Sequence, residues 1–355
     1  MLAQLALAFS VIAQPPAPPD TREADAAEAV HLRNIRQVTT GFAKAGEGYF
    51  RRDGRAIIFQ AVPNPPPGVF AIPKANQDDY QIFTADLADG SVPKQVSNGR
   101  GKCTCADFRP DGKGVLFAST ELHPSLDEAA KPGGPKAPAY SRSERYRWDF
   151  DPNMDILMAG LDGSNPTRLT DTPGYDAEGS YSPDGKTIVF TSMRDGDAEI
   201  YLMDADGKNP RRITHAKGYD GGPFFSPDGK RLLYRSDRKE NDLLQLYICN
   251  VDGTGERALT NNEFVNWGPY FHPDNRHIIY ATSRHGHGNY ELYLMDVDSG
   301  AEERITFREG FDGLPVFSPD GKKLMWTSGG RTADKKSQLF IADFEMGVAP
   351  PSAAR

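Results

Sequence analysis

The sequence predicts an all-β protein: a six-bladed β-propeller of four-stranded blades, closed by the N-terminal strand completing the last blade. Three periodic marks predict it. A turn signature recurs as FRRDGR, FRPDGK, YSPDGK, FSPDGK, FHPDNR and FSPDGK, with its aspartates at Asp53, Asp111, Asp184, Asp228, Asp274 and Asp320. Fourteen residues before each stands a Thr or Ser (Thr39, Ser97, Thr170, Thr214, Thr260, Thr306), always after Val, Leu or Ile. An apolar pair completes the pattern: Ile82-Phe83, Ile156-Leu157, Ile200-Tyr201, Leu246-Tyr247, Leu292-Tyr293 and Leu339-Phe340.

Each unit reads as four strands. Strand A runs into the PDG turn, where Pro pre-sets φ, Asp caps its own backbone and Gly takes the positive φ of an antiparallel hairpin. Strand B follows (TIVFTS, RLLYRS), then strand C (EIYLMD, ELYLMD) and strand D (RRIT, ERIT). Spacings between the turn aspartates are 58, 73, 44, 46 and 46 residues. After Leu339-Phe340 no sixth strand D follows, but Ile35-Arg36-Gln37-Val38-Thr39 lies in phase at the other end. That strand completes the last blade and leaves no raw sheet edge. The propeller spans 31–345, and 346–355 reads as a disordered tail.

Composition agrees. Gly (35) and Pro (28) make up about 18% of the 355 residues, above the roughly 12% of ordinary chains, as many tight turns require. The net charge of −8 argues against nucleic acid, which is bound through a basic footprint. Three cysteines exclude a disulfide-stapled fold. Residues 1–13 (MLAQLALAFSVIA) read as a signal peptide, too short for a membrane span, with Val11 and Ala13 placed for cleavage before Gln14. Residues 14–30 read as a Pro/Ala-rich linker. The expectation is a periplasmic or secreted monomer.

Eight residues before each hairpin aspartate stand Ala45, Cys103, Asp176, Asp220, Asn266 and Asp312. The start of strand A lies nearest the central channel, on the face where the D-to-A and B-to-C connections emerge. Asp176, Asp220, Asn266 and Asp312 therefore ring one mouth of the channel, with oxygens that suit a hard cation such as Ca2+ at Asp176, Asp220 and Asp312. Arg194, Arg238 and Arg284, ten residues after their hairpin aspartates, reach the same face and can pair with the ring between blades. Aspartates in such turns also cap backbone N–H groups, so a structural role stands beside the ligand role.

Two B-to-C loops are long, at 61–79 and 121–153. The first is stiffened by proline. The second ends in YSRSERYRWDFDPN, where Tyr146, Arg147 and Trp148 are the residue types of binding hot spots. Two neighbouring blades thus elaborate the face that carries the ring.

No G-x-S-x-G, H-E-x-x-H, Walker loop or C-x-x-C pair is present. His285-Gly-His287 is half a chelate on a Gly-rich loop. Cys103 and Cys105 are read as small buried strand residues rather than a strained i,i+2 disulfide, with Cys249 buried in blade 4.

The repeats SPDGKTIVFTSMRDGDAEIYLMDADGKNPRRIT and SPDGKRLLYRSDRKENDLLQLYICNVDGTGERALT resemble those of TolB-like propellers, related to the WD40-like units of prolyl oligopeptidase-type enzymes. The resemblance covers 31–345 and does not include the α/β domain that precedes the TolB propeller. It implies an exported, non-enzymatic scaffold that binds an envelope protein or peptide on the face carrying the ring and the long loops. The alternatives are a hydrolase or lyase acting on peptide or carbohydrate at the channel mouth, or an orphan regulatory propeller of a prolyl oligopeptidase-type peptidase. Catalysis needs singular residues, whereas these recur from blade to blade. No resident cofactor is expected beyond a cation in the ring.

Overall fold

A computed structural model describes residues 21–64, 79–88, 90–124, 126 and 150–347. Six four-stranded antiparallel sheets succeed one another along the chain. Blade 1 is Phe42–Phe50, Ala56–Pro63, Gln81–Asp86 and Lys94–Gln95. Blade 2 is Cys103–Phe108, Gly114–Ser119, Asp155–Gly160 and Thr167–Arg168; blade 3 is Asp176–Tyr181, Thr187–Ser192, Glu199–Asp204 and Arg211–Arg212. Blade 4 is Asp220–Phe225, Arg231–Ser236, Gln245–Asn250 and Arg257–Ala258; blade 5 is Asn266–Phe271, His277–Thr282, Glu291–Asp296 and Glu302–Arg304. Blade 6 is Asp312–Phe317, Lys323–Ser328 and Gln338–Phe344, and its fourth strand is Leu32–Gln37. The closure holds as the sequence predicts, with Leu32 opposite Phe344 and Gln37 opposite Phe340.

The recurring Thr or Ser has a physical reason. Strand D is only two or three residues long in blades 1 to 5, so its ladder cannot reach the first N–H groups of strand C. The hydroxyl takes that place. The N–H groups of Ile82, Ile156, Ile200, Leu246, Leu292 and Leu339 donate to Ser97, Thr170, Thr214, Thr260, Thr306 and Thr39 at 2.8–3.0 Å. The apolar pairs are explained by packing between blades. Ile188 and Phe190 face blade 2 with Leu116 and Ile156, while Val189 between them faces blade 4 with Leu232 and Tyr234. Strand B is therefore apolar on both faces, like a strand buried between two layers.

Two segments differ from expectation. The stretch read as a linker over 14–30 carries a helix, α1, at Thr21–Glu28. Its TREADAAE sequence follows the last proline and consists largely of strong helix formers, and Ala24 and Glu28, four apart, are its buried face. Strand B of blade 1 runs through to Pro63, so that loop starts at Asn64 rather than Ala61; Phe42 pairs with Pro63 and packs on Phe59 and Phe83. Residues 1–20, 65–78, 127–149 and 348–355 lie outside the described residues. They include the stretch read as a signal peptide, most of both long loops and most of the stretch read as a tail.

Every strand A carries a β-bulge, and a residue six before the hairpin aspartate takes positive φ: Glu47, Cys105, Glu178, Gly222, Gly268 and Leu314 at 46–59°. The bulge re-aims strand A at the axis, and these residues line one cavity there. Below them Tyr49, Phe224 and Tyr270 meet with ring centroids 5.1–6.3 Å apart. The trio borders both the upper cavity and a funnel walled by the aromatic and proline residues of the hairpin turns.

Candidate functional face

The ring residues sit at the start of strand A, but they do not open into a channel mouth. Asp176, Asp220, Asn266 and Asp312 are each at most 1% exposed. Strand A begins beneath the loops of this face, packed against strand C of the preceding blade. Asp176 accepts from Arg194 at 3.1 Å and Asp220 from Arg238 at 2.7 Å. These pairs lie within one blade, because the arginine follows strand B of the same sheet; the expected pairing between blades is corrected accordingly. Burial raises the Asp176 carboxyl and pushes Asp220 up to about 6, with the arginines acting against it.

The third arginine departs from the pattern. Blade 5 has Asn266 at the ring, and Arg284 turns instead to Glu302 at 2.8 Å and lies over the Tyr293 ring. Asn266 spends its amide on Gln245, Thr260 and Asn262. In blade 6 the partner of Asp312 is Arg331 at 3.5 Å, a residue the sequence pattern missed. Gly329-Gly330 shifts it one place, to eleven after Asp320. Arg331 also holds Glu28 of α1 at 2.6 Å.

Among the described residues no group of His, Cys, Asp and Glu could hold a metal ion. Each carboxylate assigned to Ca2+ turns at least one oxygen to an arginine, and Asp312 gives its other to the Trp326 N–H. His285 is bonded to Tyr293 and His287 to Tyr290. Cys103, Cys105 and Cys249 are free thiols.

Sequence patterning also passed over the axial cluster. Glu178 accepts from Arg235 at 2.6 Å, Thr191 at 2.7 Å, Tyr219 at 2.8 Å and the Gly222 N–H at 2.7 Å. Glu47 and Cys105 stand beside it in the same cavity; burial raises both, the thiol well above its ordinary value. A raised thiol is a poor nucleophile. The position recurs as Glu only in blades 1 and 3 and as Cys, Gly or Leu in the others, and the bulge breaks the alternation that would have pointed these residues inward.

Around the ring, the D-to-A and B-to-C connections are tied to one another. Asp197 accepts from Gly218 N–H at 3.0 Å, Asp237 from Tyr219 N–H at 2.6 Å, and Asn289 from Gly310 N–H at 2.8 Å. Phe150, where the long blade 2 loop returns, packs edge-on against Tyr175 and at a tilt against Tyr219. With Tyr219 it lines a hollow together with Asp197, Asp237 and Asp242. Helix α1 docks on this same face through Glu28, which accepts from Phe307 N–H, and Asp25, paired with Arg308 at 2.7 Å. Tyr146, Arg147 and Trp148 lie outside the described residues.

Residues 149–258 match the family described as Tricorn protease N-terminal beta propeller domain, and 240–351 match the TolB beta propeller domain. The Tol-Pal system protein TolB of Bordetella pertussis is 32% identical over 138 residues, which is 34% of this chain and 31% of that protein. The protein TolB homolog of Chlorobium chlorochromatii is 28% identical over 127 residues, 32% of this chain and 29% of its own length. The chain thus spans about a third of the curated relatives it matches. The crystal structure of TolB from Acinetobacter baumannii superposes with a TM-score of 0.58 at 22% identity, covering 83% of this chain and 65% of that one. At that identity the likeness is one of fold.

Proposed function

We infer that this chain, a TolB-like six-bladed propeller, is an exported, periplasmic, non-enzymatic scaffold that binds an envelope protein or peptide. The contact is made on the face where the D-to-A and B-to-C connections meet. One observation carries the reading: irregular chain is concentrated on that single face. The Phe150 return of the long blade 2 loop, the hollow it shares with Tyr219, and helix α1 all gather there. Loops on a rigid scaffold are where recognition resides.

In this reading the ring aspartates and Arg194, Arg238 and Arg284 fix the shape of the face from beneath, and the loops make the contact. Tyr146, Arg147 and Trp148 are proposed as its anchors, because aromatic and arginine side chains dominate interface energies. Asp197, Asp237 and Asp242, which have no ion pair among the described residues, suit a partner that presents basic side chains.

The test is a pull-down from envelope extract with the full chain and with a variant lacking 121–150. A partner that is captured by the first and lost with the second supports the reading. Equal recovery by both forms would place the contact elsewhere, and no specific partner with either would overturn the scaffold role.

A further inference from the structure

One backbone hydrogen bond stitches each blade to the one before it. The first N–H of strand A donates to the carbonyl just ahead of the preceding strand C: Ala45 to Ser337, Cys103 to Tyr80, Asp176 to Met154, Asp220 to Ala198, Asn266 to Leu244 and Asp312 to Tyr290. The bond sets two side chains beside each other at every junction. They are Ala45 with Gln338, Cys103 with Gln81, Asp176 with Asp155, Asp220 with Glu199, Asn266 with Gln245, and Asp312 with Glu291. Neutral residues meet neutral ones, and acids meet acids. At the neutral junction of blades 4 and 5 the Asn266 amide donates to Gln245 at 3.2 Å. At an acidic junction each carboxylate has its own arginine, as Asp155 has Arg168 at 2.9 Å and Asp176 has Arg194.

The junction of blades 5 and 6 departs from this balance. Arg304 holds Glu291 at 2.8 Å and Arg331 holds Asp312, but α1 inserts Glu28 as a third carboxylate, 1% exposed. One Glu28 oxygen takes Arg331 and Phe307 N–H; the other, Oε2, is buried with no hydrogen-bond partner. Nearby, Asp25 is paired with Arg308 at 2.7 Å, and the His31 ring contacts the half-exposed Glu303 at 2.9 Å. Glu309 and Lys335 line the groove beside α1, one of each sign. Three carboxylates against two guanidinium groups leave one buried negative charge, which is costly unless a proton neutralises it.

We propose that Glu28, Glu291 and Asp312 hold one proton among them while α1 is docked, so that α1 is a strap released at mildly alkaline pH. Loss of the proton leaves an excess charge that only withdrawal of Glu28 relieves. Burial, with the Asp312 charge adding to it, pushes Glu291 up to about 8, and two carboxylates at one site titrate as a pair.

Amide hydrogen exchange on the full chain tests this, read as protection factors at pH 6 and pH 9. The reporters are Phe307 N–H, which donates to Glu28, and the Ala29 and His31 N–H groups that close the helix. Protection of these amides is expected to fall at least about tenfold at pH 9, which is a shift of about 1.4 kcal/mol, while strand B of blade 3 holds. Glu28→Gln and Glu291→Gln each remove the excess charge and are expected to keep α1 protected at both pH values. Equal protection of the wild type at both pH values overturns the proposal, as does a Glu28→Gln chain that loses α1 at pH 9. Glu28 lies outside the propeller, so that variant stays informative if Glu291→Gln fails to fold.

Discussion

The backbone N–H of Leu339 donates to Thr39 Oγ1 at 2.8 Å across 300 residues of sequence, and the Thr39 hydroxyl in turn donates a hydrogen bond to Gln338 Oε1 at 2.8 Å. This clasp is the sixth copy of a device that every other blade makes locally. Here it joins the two ends of the propeller.

Deleting residues 31–39 therefore removes the outer strand of blade 6 and exposes strand C as an edge. The truncated chain is expected to lose its cooperative melt. Thr39→Val keeps the strand and removes only the hydroxyl, at a cost of about 1–3 kcal/mol for the unsatisfied Leu339 N–H, readable by urea unfolding. A truncated protein that melts like the intact one would disprove closure by this strand.

Asp220→Ala strands the buried guanidinium of Arg238. Removing one partner of a buried pair costs about 3–5 kcal/mol, although here Glu256, 2.5 Å away, retains part of the interaction. Arg284→Ala, on a residue that pairs with the partly exposed Glu302 instead of a buried ring aspartate, is expected to cost less than half as much in the same denaturation series. Equal losses would mean that the ring position carries no special weight.

The pH dependence of stability follows from opposite shifts. Glu291, Asp155 and Asp220 are pushed up to about 8, 7 and 6 by burial, so the folded chain holds protons that the unfolded chain releases near pH 4. Their contribution is fully present below about pH 4 and is lost as pH rises through 6 to 8. Asp274 is drawn down to about 2, chiefly by the N–H groups of His277 and Arg276 against the cost of its burial, and its contribution is lost as pH falls toward that value. The melting temperature is expected to peak near pH 5 and to decline by pH 8.5. A flat profile from 5 to 8.5 would show that the junction carboxylates are already ionised at the lower pH.

Gly222 combines positive φ (59°) with a space already taken: a Cβ there would lie 2.2 Å from the Arg235 guanidinium. Gly222→Ala is expected to displace Arg235 from Glu178 and to destabilise by more than the roughly 1–2 kcal/mol of left-handed strain alone. Thermal unfolding beside Gly112→Ala, where φ is positive but the space is open, separates the two effects. Matching losses would assign the whole effect to backbone strain.

The fold was legible because its marks are local chemistry repeated six times. Turn residues, a hydroxyl and an apolar pair each report a nearby hydrogen bond or packing contact. The arginine pairing was half legible: Arg194 and Arg238 keep the repeat's spacing, whereas Arg331 slipped one place behind Gly329-Gly330. Burial of the ring was not legible, because spacing gives a residue's position along a strand and says nothing of the neighbouring blade above it. Nor was the Glu178–Arg235 contact, which joins residues 57 apart across a bulge that reverses the side-chain alternation. The acid-with-acid matching at the junctions lay in the sequence throughout, visible only once adjacent blades were set in register.

Tyr49, Phe224 and Tyr270 meet across the axis midway, between the cavity that holds Glu47 and Glu178 and the funnel on the hairpin side. A group entering from the hairpin side meets these three rings before it can meet Glu47 or Glu178. Strand A borders both spaces in every blade, its bulge on one side and its hairpin end on the other, so a displacement of that strand at one face is felt mechanically at the other.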